Sequence, residues 1–349
     1  MKYNQPFGIS DPEAAYVNGN PSTGVMGSIP PAASVEYDQR EIIAVIKYAF
    51  DKGLIDFNNV PCAAPTNADL TQLLKAIFGM ARQNKLQASM VIYINSFTGD
   101  DVLADGTVNK PYRTHMAAIA MAQSTLDLNL KHTITFHSTG NFTNSGLPFG
   151  HPIVYLAGLF AGQNGAASII FNNNAATFTG NNCACFYINQ GAQIVMYGGT
   201  YSATTDGVTS NTGIAIEVGG QAIVMGNGWT FGACGNAHFW IGGDLWLSGG
   251  GYTVTAGAPN HLVLSPGANF STSNGPINIA LQNNPAFGRW VSNYGGAYGI
   301  SATITGTATG QKYIISGYGV ISTNGAGVNF LPGNTAGYIY PNTGNGEYT

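Results

Sequence analysis

The chain has 349 residues, 44% hydrophobic and only 8% charged, with net charge −4, where an ordinary globular protein carries about 25% charged residues. With 18 Tyr, 17 Phe and 4 Trp it is not a disordered chain, and its 48 Gly keep no collagen register. Scattered basic residues exclude a nucleic-acid footprint, and the lack of a long apolar run excludes a bilayer-spanning helix.

Met1 to Pro6 is not followed by an apolar segment, so no secretory signal is read and cytoplasmic synthesis and folding are expected. Residues 1–33 hold many breakers, among them Asp11-Pro12, Asn18-Gly19 and Pro30-Pro31, and are expected to form an extended arm. In residues 34–88, Ile42, Ile43, Val45, Ile46 and Phe50 fall at helical spacing, with Gly53 ending the helix. A second helix is expected from Asn67 as cap through Leu70, Leu73, Leu74, Ile77 and Met80. Residues 89–131 offer a strand, Met90 to Asn95, a polar turn with Asp100, Asp101 and Asp105, and an apolar helix from Met116. The turn lacks the acidic twelfth position of a calcium loop. Cys183-Ala184-Cys185 lacks the paired ligand clusters of structural zinc and reads as two small strand hydrophobes. Neither a metal nor a cofactor is assigned.

From residue 132 the texture is repetitive. Phe186 to Met196, Ile216 to Met225, Phe239 to Leu247 and Leu262 to Phe270 each read as a short apolar strand, a Gly-containing turn and a second strand. Further turns follow at Gly198-Gly199, Asn227-Gly228, Gly249-Gly250-Gly251 and Asn274-Gly275, each leading to a third apolar pair. Aligning Val195, Val224, Trp246 and Phe270 gives units of about 20–30 residues, the period of a solenoid coil. One coil cannot bury both faces, so the coils must stack. The fold class is therefore mainly β: a parallel β-helix over 132–349 behind a small helical region.

Three N-terminal runs, Gly24 to Ala33, Glu36 to Ile42 and Asn67 to Leu73, resemble the start of phage and prophage tail fibre proteins. Asp105-Gly106-Thr107 to Thr114 with its following helix is similar to the segment that caps phage spike β-helices, and Asn329 to Gly337 looks like a recurring end motif of the same proteins. The resemblance implies a right-handed, pectate-lyase-like β-helix, a homotrimer, and a place in the phage tail. It implies attachment to tail or baseplate proteins through Pro30, Pro31, Glu36, Tyr37, Arg40, Asn67 and Asp69. It further implies host cell-surface polysaccharide as partner, without membrane insertion.

Cleavage of such a polysaccharide needs two carboxylates about 5–9.5 Å apart. Beyond residue 132 the acids are Asp206, Glu217, Asp244 and Glu347. Asp206 sits in a turn, and Glu217 and Asp244 fall at unequal places of their coils, so the first three are weak catalytic candidates and binding is favoured over catalysis. For binding, Trp229, Trp290, Tyr294 and Tyr298 are the candidates, whereas Trp240 and Trp246 are expected in the core. A solenoid adhesin with an export signal and an architectural adaptor for another fibre are the competing readings.

Overall fold

Residues 86–349 form one unit, a parallel β-solenoid of about six turns. The computed structural model describes residues 6–349 apart from 12–13, 16, 30–31, 52–60, 67–68, 70, 83–84, 87, 146, 149, 205–210 and 342–343. Two sheets make its walls. The larger has 13 strands and begins with Met90–Asn95, Ile134–Thr143, Ile169–Asn181, Gln193–Thr204, Gln221–Cys234 and Asp244–Ser248. The smaller has 8: Val154–Leu156, Phe186–Ile188, Thr212–Ile216, Ala237–Ile241, Ala258–Leu264, Ala286–Asn293, Thr309–Ile315 and Tyr338–Ile339. Every ladder between these strands is parallel. Each coil thus lies over the last at the strand spacing of about 4.8 Å.

The expected three-part unit is present in the distal coils, for example Ala237–Ile241, Asp244–Ser248 and Gly251–Val254. In the proximal coils the second and third parts are fused. Gln193–Thr204 and Gln221–Cys234 run straight through the turns expected at Gly198-Gly199 and Asn227-Gly228, with a register shift there instead. At Gly199 (φ 107°) an added Cβ would lie 2.6 Å from the Tyr201 hydroxyl, so the bulge requires glycine. The coil alignment also slips by one residue: Val195 faces Ile223, Trp246 faces Ser271, and Phe270 faces Leu245. A slip of one exchanges the two faces of a strand. Leu245 and Leu247 therefore fill the interior, while Trp246 points out of the coil.

In-register stacking lines up like residues inside the solenoid. Phe136 stacks on Phe171 at 4.8 Å, Phe142 on Phe178 at 5.3 Å, and Phe178 on Tyr201 at 5.2 Å. Such aromatic ladders add to the area they bury. Helix α3 (His115–Thr125) packs on the strands Met90–Asn95 and Val154–Leu156 and buries His115, Ala118, Ile119 and Ala122. Thr114 caps it, accepting from the Ala117 amide. Asp101 in turn accepts from the amides of Arg113 and Thr114 and from the Thr114 hydroxyl, while Asp100 and Asp105 accept from loop amides. These carboxylates are spent on fixing the loop. Cys183 and Cys185 are buried, in the bend before Phe186–Ile188 and not in a strand.

Residues 1–85 form the other unit. It contains α1 (Ala32–Asp51) and α2 (Gln72–Arg82), between which, among the described residues, Ile46, Ala49, Cys62 and Ala76 are buried with Val45 and Leu73 packed against them. Pro30, Pro31 and Asn67 lie outside the described residues, as do the side chains of Glu36 and Tyr37. Arg40 is exposed on α1. Asp69 accepts from the Thr71 amide and hydroxyl ahead of α2 and pairs with Lys75, contacts that lower its carboxyl to about 2.

Candidate functional site

Strands of the smaller sheet alternate between the interior and the outer face. In three of its strands the central residue of an apolar–aromatic–apolar triplet faces outward: Tyr155 between Val154 and Leu156, Tyr187 between Phe186 and Ile188, and Trp240 between Phe239 and Ile241. The ladder sets Tyr155 beside Tyr187, Tyr187 beside Ala215, and Ala215 beside Trp240. The small Ala215 side chain leaves a hollow between two aromatic walls. The resulting groove has a volume of about 700 Å³ and is also lined by Asn189, Thr212, Glu217 and Asn236.

Its polar groups are oriented by one another. The tyrosine rings are stacked 5.7 Å apart, 20° from parallel. The Tyr187 hydroxyl donates to Oε1 of Glu217. Burial, and then the neighbouring carboxylate, raise the Tyr187 phenol, so the proton stays on the tyrosine. Asn189 Nδ2 donates to the Tyr155 hydroxyl at 2.7 Å, which leaves that hydroxyl's own proton to point into the groove. Asn236 Nδ2 donates to the Thr212 hydroxyl at 3.3 Å. The groove thus offers flat aromatic faces, a donor at Tyr155 and acceptors at Glu217 and Asn236, set on rigid strands.

Of the catalytic candidates among the described residues, Glu217 lines this groove. Asp244 begins a strand of the other sheet, between Gln221 and Asn269, and does not line it. Asp206 lies outside the described residues. Among the described lining residues Glu217 is the one carboxylate, and hydrolysis of a glycosidic bond uses two.

The expected division of the tryptophans is reversed. Trp229 and Trp290 are buried, at 2% and 1% exposure, and Tyr298 is buried with them. Their faces meet protein: Trp229 stacks on Tyr201 at 5.6 Å, Trp290 on His261 at 3.8 Å, and Tyr298 on Phe270 at 5.1 Å. Trp240 and Trp246, expected in the core, are half-buried outer residues. Tyr294 is 42% exposed, as its Gly-Gly loop implies. Trp246 lines a second, shallower groove of about 590 Å³ on the larger sheet, with Gln221, Ser248, Ser273 and Asn274.

No protein-family profile matches the chain, and searches of curated proteins and of solved structures return no significant match.

Proposed function

We propose that this chain is a fibre or spike component of a bacteriophage tail that binds host-surface polysaccharide through the outer groove of its smaller sheet. The observation that carries the reading is the Tyr155–Tyr187–Trp240 wall with oriented hydroxyl, amide and carboxylate groups between its members. Sugar rings offer an apolar face and a hydroxylated rim, and such a wall meets both. The solenoid frame suits a particle exposed outside a cell, because every strand between the sheet ends is held by two neighbours.

In this reading the helical unit attaches to tail or baseplate proteins. Its support is the exposure of apolar side chains: Ile42, Ile43, Leu74 and Ile77 remain 42–58% exposed on α1 and α2. Exposed apolar groups suit a unit completed by a partner. Three copies side by side would cover solenoid flanks that are polar but nearly uncharged, without desolvating charge. Light scattering of the purified protein should give a trimer mass, and a monomer would remove this element of the reading.

The direct test measures binding to polysaccharide from susceptible host cells. Tyr187→Ala and Trp240→Ala should each weaken it about tenfold, the loss typical of a buried aromatic contact, with no change in melting temperature beyond a few degrees. Unchanged binding in both variants would overturn the assignment of the groove. A second reading, cleavage of the same glycan, is favoured by the Tyr187–Glu217 pair alone and requires a second carboxylate from a neighbouring copy. Release of reducing ends, abolished by Glu217→Gln, would establish it.

A further inference from the structure

The groove's charge is one-sided. Glu217 lies in its wall, Oε1 accepts from Tyr187, and Oε2 takes no hydrogen bond among the described residues. Among the described residues no lysine or arginine lines the groove. The nearest histidine in sequence, His151, sits between the lining residues Gly150 and Pro152, with its ring 6.0 Å from Tyr155. Its Nδ1 lies 2.7 Å from the Pro152 carbonyl, which can only accept, so Nδ1 carries a proton and donates it there, away from Glu217. The remaining polar groups, Asn189, Asn236, Thr212 and the two phenols, are uncharged.

We infer that the groove selects against acidic sugars: its ligand is a saccharide whose units on the Tyr155–Tyr187–Trp240 wall are neutral or amino-bearing, and Glu217 is the residue that sets this choice. The inference rests on the reading of the groove as a saccharide site. The argument is one of charge and geometry. An amino or hydroxyl group meeting Oε2 makes a charge-assisted hydrogen bond. A uronate carboxylate at the same place faces a fixed negative charge, with no guanidinium or ammonium in the lining to compensate it. Tyr187 fixes the position of that charge, so the carboxylate cannot rotate away without losing its own donor.

The test is an array of bacterial surface oligosaccharides with neutral, amino-bearing and uronate-bearing members, probed with the whole chain at pH 8 and at two salt concentrations. The expected binders are neutral or amino-bearing, and at low salt their uronate-bearing counterparts bind at least about tenfold more weakly. That gap should narrow at high salt, since opposed charges near a surface are screened. Glu217→Gln keeps an oxygen for the Tyr187 hydroxyl while removing the charge. It should bring amino-bearing and uronate-bearing ligands within a few-fold of one another. Preferred binding of uronates by the native chain, or an unchanged gap in Glu217→Gln, would overturn the inference and leave saccharide binding standing. An array with no binders would overturn the saccharide reading itself.

Discussion

Asn293 shows how a single buried amide organises a turn. Its side chain is fully buried, accepts from the amides of Gly295 and Gly296, and donates to the carbonyls of Gly296 and Val320 in the next coil. Asn293→Ala would remove all four of these hydrogen bonds, the Gly296 carbonyl keeping the Val320 amide, and should cost at least about 2 kcal/mol in denaturant unfolding. Asn293→Asp should be no milder, because an oxygen would replace the donor facing two carbonyls. At this scale the sequence was only partly legible. That Tyr294 is exposed follows from its Gly-Gly loop, but the sides of the four tryptophans do not follow from composition. Trp229 comes just after the bulge at Asn227-Gly228, where its strand carries two more residues than the strand beside it, so the alternation read before the bulge does not carry across it. Tyr155 and Tyr187 went unnoticed because they lie on successive coils, far apart in the chain. The triplets Val154-Tyr155-Leu156, Phe186-Tyr187-Ile188 and Phe239-Trp240-Ile241 were the available signal.

Between neighbouring strands, the coils around Ala237–Ile241 and Ala258–Leu264 enclose a relay of polar groups in a dry interior. His238 Nε2 lies 2.9 Å from the Gly232 carbonyl and must donate to it, so His238 Nδ1 is an acceptor. His261 Nδ1 then donates to it at 2.9 Å, and His261 Nε2 accepts from the Tyr252 hydroxyl at 2.9 Å. This order holds only while both rings are neutral, since protonation would set two N–H groups against each other. Burial lowers His238 to about 4 and His261 well below its ordinary value; at the start of α3 it lowers His115, bonded to the Ser138 hydroxyl, to about 3. The unfolded chain binds these protons near pH 6.5 and the folded chain does not, so stability is full above that pH and falls as pH drops toward 4. Denaturant midpoints measured between pH 7 and 4.5 should decline steadily. His238→Gln, less stable at pH 7, should lose about one proton's share of the slope, about 1.4 kcal/mol per pH unit. The repeat was readable at this scale because each strand and turn carries its own pattern. Its register was not, because apolar residues on both faces of Gln193–Thr204 and Gln221–Cys234 hide the alternation.

The two units of the molecule are stabilised in different ways. In residues 86–349 one continuous core runs from Ile92 to Leu331, with the aromatic ladder along it, whereas among the described residues of 1–85 the buried cluster holds Ile46, Ala49, Cys62 and Ala76. A chain lacking residues 1–85 should therefore keep its β circular dichroism and melt within about 5 °C of the full protein, because its core is built from residues of the second unit. Residues 1–85 expressed alone should show little cooperative unfolding. A truncated solenoid that fails to fold would show that the first unit contributes to its stability. The division between helices and solenoid was plain in the sequence, because the hydrophobic period changes. The partners were not, since exposed Ile42 or Ile77 marks an unfinished surface without naming what finishes it.

The reversed tryptophans also give the protein a built-in optical reporter. Trp229 and Trp290, sealed among rings, should emit at short wavelength and resist iodide, while Trp240 and Trp246 should emit farther to the red and be quenched. Occupation of the groove beside Trp240 would then dim or shift only the red component, and a ligand that altered the blue one would be acting on the interior.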